Sequence, residues 1–183
     1  MDIAVQRIRL ALCCLGQGHF LFRNRVPIVS LDAPAFHSTG TPLAGPRYRA
    51  SLYGGPSAEL MQFVADTPFL SGTSAGYFEA TETAFIPGVP GGALATLRVV
   101  AWDTTLGSSF EAVKALGLGG YGESSIFVAR SATAGGGVPE LPRPLLGLES
   151  FSLLPVIPEP RSIFLLLLGI PFLFLRKYQK HSS

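Results

Sequence analysis

Three groups of side chains in this sequence have types and spacings that could do chemistry. Gly117, Gly119 and Gly122 stand in a G-x-G-x-x-G run, the spacing with which a glycine-rich turn carries backbone N–H groups to a dinucleotide phosphate. That use requires a strand before the run and a helix after it, so that the phosphate meets a helix N-terminus. Here the order is reversed, with a helix-like stretch before (residues 109–116, SFEAVKAL) and a strand-like one after (residues 124–130, SSIFVAR). The run is therefore expected to be a loop, and no cofactor is expected. The histidines, His19, His37 and His181, lack metal-ligand spacing. Asp32, Asp66 and Asp103 are scattered and form no calcium loop, so no metal is expected. A triad of serine, histidine and carboxylate assembles in space and would have to use His19 or His37. Trp102 with Tyr48, Tyr53 or Tyr77 could stack on a sugar ring, although a tryptophan ending a strong strand is more simply a core or edge aromatic.

The elements that would position these residues read as strands. Residues 47–53 (RYRASLY) alternate, with Tyr48, Ala50 and Leu52 on one face and Arg47, Arg49 and Ser51 on the other. Residues 94–102 and 124–130 are β-branched or aromatic runs of strand length. Further strands are expected at 19–23, 60–65, 77–80 and 148–154, with glycine and proline turns at 54–56, 87–92 and 135–137. Residues 109–116 are expected to form a short helical turn, and residues 138–145, with three prolines, an extended connector. Short strands with a turn every ten or so residues predict an all-β fold, a single antiparallel β-sandwich.

Composition narrows the function. The 183 residues suffice for one domain with short appendages. The formal charge of +2 belongs to the ends: residues 17–158 carry eight basic and ten acidic side chains, and residues 159–183 four basic and one acidic. A slightly acidic body without a Lys/Arg stripe lacks the footprint of a nucleic-acid binder. The two cysteines, Cys13 and Cys14, are adjacent and poor disulfide partners. They fall in residues 1–16, which are expected to be a weak signal peptide with basic Arg7 and Arg9, a short apolar run at 10–15 and cleavage after Gly16, the alternative being a longer or different leader.

The C-terminal end is the most distinctive stretch. Ile163, Phe164, Leu165, Leu166, Leu167, Leu168, Gly169, Ile170, Pro171, Phe172, Leu173, Phe174 and Leu175 follow one another without a charge, and the basic residues Arg176, Lys177 and Lys180 come next. Thirteen residues give roughly 20 Å of helix, against about 30 Å of hydrocarbon. The run is a marginal but favoured transmembrane helix, apolar on every face, with the basic cluster as its cytoplasmic stop. The preceding chain is then expected outside the cytoplasm.

Just ahead of this run, separated from it by Arg161 and Ser162, stand Pro158, Glu159 and Pro160. The order of Pro-Glu-Pro, apolar stretch and terminal basic cluster resembles the PEP-CTERM sorting signal of proteins exported by Gram-negative bacteria. The resemblance implies that a membrane-embedded cysteine transpeptidase, an exosortase, recognises Pro158, Glu159 and Pro160 and processes the chain there. The body is also similar to a group of short PEP-CTERM proteins, through Phe22-Arg23-Asn24-Arg25, Leu43-Ala44-Gly45-Pro46, Ala50-Ser51-Leu52-Tyr53-Gly54-Gly55, Ser74-Ala75-Gly76-Tyr77-Phe78, Ile86-Pro87-Gly88-Val89, Val99-Val100-Ala101-Trp102 and Gly122-Glu123-Ser124.

The chain thus divides into a leader (1–16), a β-sandwich body (17–137), a last strand and proline-rich linker (138–157) and a sorting and membrane-anchor tail (158–183). The expected function is that of a non-enzymatic cell-envelope or extracellular-matrix protein. It would be held in the inner membrane with its body in the periplasm until an exosortase releases it to the cell surface. Alternatives are an extracellular carbohydrate-binding module, with Trp102, Tyr53 and Tyr77 stacking on extracellular polysaccharide, and a small secreted hydrolase.

Overall fold

The computed structural model describes residues 16–133 and 140–157. The chain is mostly β, and its strands run, in order, as β1 (Gln17–Phe22), β2 (Arg25–Val26), β3 (Leu31–Asp32), β4 (Ala35–Phe36), β5 (Tyr48–Gly55), β6 (Gln62–Pro68), β7 (Thr81–Pro90) and β8 (Leu94–Asp103). After the single α-helix among the described residues, α1 (Phe110–Leu116), come β9 (Tyr121–Glu123), β10 (Phe127–Arg130), β11 (Ala132–Thr133), β12 (Arg143–Pro144) and β13 (Phe151–Ser152).

Two larger sheets contain most of these strands. In the five-stranded sheet β8 is central, pairing antiparallel with β5 on one side and with β10 and β9 in succession on the other, while β6 pairs with β5. In the four-stranded sheet β1 is central, antiparallel to β7 on one side. Its other side meets antiparallel β11 through Gly18 and His19, then parallel β12 through Phe20 and Leu21. Antiparallel pairing dominates; the short β1–β12 and β4–β13 pairs are parallel.

The period of two expected for residues 47–53 decides where the core sits. Ala50 and Leu52 of β5 are fully buried, as are Leu97 and Val99 of β8, and they share one apolar cluster with Phe20 and Phe22 of β1 and Ile86 of β7. Phe22 and Phe78 pack at 4.6 Å between ring centroids, within the range of favourable aromatic pairs. A second cluster lies on the opposite face of the five-stranded sheet, where Val100 and Trp102 are covered by Phe110 and Val113 of α1. The helix forms because Ser109 caps it: the Ser109 hydroxyl oxygen accepts from the Ala112 N–H at 3.2 Å, and Gly117 closes it in the left-handed region at φ 68°.

Some boundaries differ from the sequence expectations. Residues 77–80 are not a strand and make only the isolated Phe69–Phe78 bridge, while the strand itself, β7, runs through Pro87, Gly88 and Pro90, where a turn was expected. β7 pairs with β1 alone among the described strands, so its prolines withhold no N–H from a second neighbour. The register of β1 against β7 also slips between Gln17 and His19, which takes up the Pro-Gly stretch. Of residues 60–65, the strand begins only at Gln62, in β6, and Leu60 ends a 3-10 turn (Ala58–Leu60) instead; of residues 148–154 only Phe151–Ser152 is strand. The stretch expected as a linker belongs to the packed body, since Leu145, Leu148 and Leu153 enter the main core.

Candidate functional site

The outer face of the five-stranded sheet carries a cleft of about 420 Å3. Its floor follows from strand alternation. With Ala50 and Leu52 turned to the main core, Ser51 and Tyr53 face the other way, level with Val100 and Arg98 of β8. The first turn of α1, with Ser109, Phe110 and Glu111, makes one wall. Phe63 and Asp66 of β6 make the other.

A bulge builds this second wall. Leu52 pairs with Ala65, but Tyr53 pairs with Phe63, which leaves Val64 as an extra residue in β6. Val64 and Ala65 both pack toward the main core. Without the bulge, strict alternation would turn Phe63 inward; with it, Phe63 stands on the outer face, 54% exposed, edge-on to Tyr53 at 6.1 Å. Tyr53 in turn meets Phe110 edge-on at 6.3 Å. Asp66 is held by Arg49, whose Nε donates to Oδ2 at 2.6 Å. Trp102 lines the cleft but is only 3% exposed, and its Nε1–H is buried without an acceptor among the described residues.

The three aromatics expected to form a stacking platform are therefore not brought together. Trp102 and Tyr53 share this cleft, whereas Tyr77 lies in a second one, of about 490 Å3, with Arg23, Asn24, Arg25 and Ser74. There the Arg25 guanidinium lies 4.8 Å from the Tyr77 ring centroid, and the Tyr77 hydroxyl donates to Asp32 Oδ1 at 2.7 Å. That hydrogen bond, together with burial and the Asp32 charge, raises the Tyr77 pKa above its ordinary value, and Arg25 opposes the shift. Trp102 is instead a buried aromatic under α1, because Phe110 and Val113 cover the sheet face on which β8 places it. Phe63, which no alternation pattern points outward, takes the exposed aromatic position.

The histidines are far from such roles. His19 is buried, its Nε2 donating to the Glu140 carbonyl oxygen at 3.3 Å, which leaves Nδ1 as an acceptor without a partner among the described residues. His37 sits in an exposed turn among Ser38, Thr39 and Thr41, and no carboxylate bonds it among the described residues. His181 lies outside the described residues. One motif escaped the sequence reading: Gly72-Thr73-Ser74-Ala75-Gly76 has the spacing of a nucleophile elbow. Ser74 ends a 3-10 turn (Gly72–Ser74) rather than joining a strand to a helix, and its cleft is lined by arginines and no histidine. No three of His, Cys, Asp and Glu gather into a metal-sized group among the described residues.

The glycine run has a packing explanation. Leu154 and Ile157 bond back to it, with Gly120 N–H donating to Leu154 O at 3.0 Å and Ile157 N–H to Leu118 O at 2.7 Å. A Cβ on Gly119 would collide with the Pro155 carbonyl, and one on Gly122 with the Ser152 carbonyl. The glycines admit another stretch of backbone, not a phosphate.

Pro158, Glu159 and Pro160, the apolar run 163–175 and the basic cluster lie outside the described residues, as do residues 1–15. No helix among the described residues is long and apolar enough to cross a membrane. Compared with protein-family models, with curated proteins and with solved structures, the chain matches none.

Proposed function

We propose that this is an exported, non-enzymatic protein of the cell envelope or extracellular matrix, a two-sheet β-sandwich carried by a PEP-CTERM tail. The observation that carries the proposal is the order of Pro158-Glu159-Pro160, then, after Arg161 and Ser162, thirteen apolar residues, and then Arg176, Lys177 and Lys180. The apolar run inserts in the inner membrane, the cluster keeps the end of the chain cytoplasmic, and the body faces the periplasm. An exosortase-type transpeptidase then acts at the Pro-Glu-Pro motif and passes the body to the surface.

The layout of the body supports this division of labour. Every residue of the main core described above lies before Leu154, and Ile157, whose N–H is bonded to Leu118, immediately precedes the motif. Processing at residues 158–160 would therefore remove none of the described core residues. Mass spectrometry of the C-terminus in the native host tests the proposal. Wild-type protein is expected to end within or near the motif and to leave the inner membrane, and Glu159→Ala is expected to keep an intact Ser183 end in the membrane fraction. A wild-type protein found in the cytoplasm with its whole tail would overturn it.

A further inference from the structure

We propose that the cleft between β6 and the first turn of α1 is a binding site for a neutral sugar ring, with Phe63 and Tyr53 as its apolar contacts and Asp66 and Glu111 as hydroxyl acceptors. The site is independent of the tail and of any processing there.

Four observations converge on it. The first is the cost of Phe63. The β6 bulge turns this ring out of the core side and leaves it half in water beside Tyr53 and the paired Asp66 and Arg49, at the open edge of the face that α1 otherwise covers. Bulges that re-aim one side chain concentrate beside functional sites. The second is the mixture of surfaces. A pyranose has an apolar C–H face and a rim of hydroxyls, and the cleft offers aromatic rings next to the carboxylates of Asp66 and Glu111 and the hydroxyls of Ser51 and Ser108.

The third is charge. Asp66 is already neutralised by Arg49, with Nη2 and Nε both on Oδ2, so its remaining acceptor capacity suits a neutral donor such as a hydroxyl. The fourth is Trp102. It lines the same cleft and its buried Nε1–H lacks an acceptor among the described residues, a donor that a hydroxyl-bearing ligand can satisfy through a bridging water, whereas a cationic ligand cannot. The cleft volume of about 420 Å3 admits one or two rings of a chain, so the ligand is an oligosaccharide segment bound laterally.

Trp102 is the only tryptophan in the sequence, which makes its fluorescence a reporter of this one cleft. Full-length protein, kept in a detergent without a sugar head group, is first screened on an array of neutral and acidic oligosaccharides. Array ligands are then titrated against Trp102 emission. The expected result is saturable binding of at least one neutral oligosaccharide with a change in emission. Phe63→Ala should weaken it about tenfold or more, Phe63→Tyr should retain it, and Glu111→Gln should weaken it less. Phe63 is exposed, so Phe63→Ala keeps its fold and thermal midpoint, and an unchanged circular dichroism spectrum checks this. Absence of any neutral ligand on the array overturns the proposal. So does binding that Phe63→Ala leaves intact, or a response to tetramethylammonium in place of sugars. Concentration-dependent dimerisation abolished by Phe63→Ala, without sugar binding, would instead make the cleft a self-association surface and also overturn it.

Discussion

Asp103 ends the central strand of the larger sheet and is almost fully buried, yet it is an anion with four bonds. Arg47 donates to Oδ2 through Nε at 3.0 Å and Nη2 at 2.6 Å, and Thr105 donates to Oδ1 through its N–H at 2.9 Å and its hydroxyl at 2.6 Å. Burial pushes its pKa up, but the hydrogen bonds from Arg47 and Thr105 and the Arg47 charge outweigh burial and hold it below the ordinary carboxylate range. A depressed folded-state pKa gives stability that is complete above the unfolded value, near 4, and disappears as pH falls through the folded one. Asp103→Asn is therefore expected to cost roughly 1.5–3 kcal/mol at neutral pH. It should also flatten the fall in thermal midpoint between about pH 4 and pH 2, as calorimetry across that range would show. Asn24 plays a related part without charge. Fully buried, its amide donates to Ala33 O at 2.9 Å and Gly76 O at 3.0 Å and accepts from Phe78 N–H at 3.1 Å. Nothing in the local pattern Phe22-Arg23-Asn24-Arg25 marks this role, because two of its three partners, Gly76 and Phe78, lie more than 50 residues away.

Among the elements, α1 and the segment that lies against its C-terminal loop depend most visibly on single residues. Gly119 sits at φ 83°, and any side chain there would meet the Pro155 carbonyl. Left-handed backbone alone costs an ordinary residue about 1–2 kcal/mol. With the collision added, Gly119→Ala is expected to lose roughly 3 kcal/mol or more. Hydrogen exchange at the Ile157 amide, which bonds Leu118 O, should accelerate before the rest of the body does. Elements of this kind differ in how far the sequence betrays them. The β5 alternation and the Ser109-capped helix are legible because period and cap are local. β7 is not, because Pro87 and Gly88 read as a turn unless one knows that the strand lies at a sheet edge. Of the cleft, Tyr53 and Trp102 could be picked out by type, but Phe63 could not. Its exposure depends on a one-residue bulge that only the pairing with β5 reveals.

For the molecule as a whole, the boundary of the folded unit falls later than residue composition suggests. The prolines of residues 138–145 have the look of a linker, yet Arg143 and Pro144 pair with Phe20 and Leu21, and Leu145, Leu148 and Leu153 are buried in the main core. A chain ending at residue 139 is expected to lack a cooperative unfolding transition, while one ending at Ile157 is expected to fold. Near-ultraviolet circular dichroism and amide-proton dispersion separate the two outcomes.

The parallel pairing of β12 with β1 also sets a timetable. His19 waits for Glu140, 121 residues further along the chain, and Phe20 for Arg143. Contacts so distant in sequence form slowly, because a long loop must close before they repay its entropy. While the chain is still being made, its first strand has one of its flanks unoccupied until almost the entire body has emerged. On the proposed route of export, slow closure of this kind would keep the chain threadable through a membrane, with folding completed once the segment up to Ile157 has crossed.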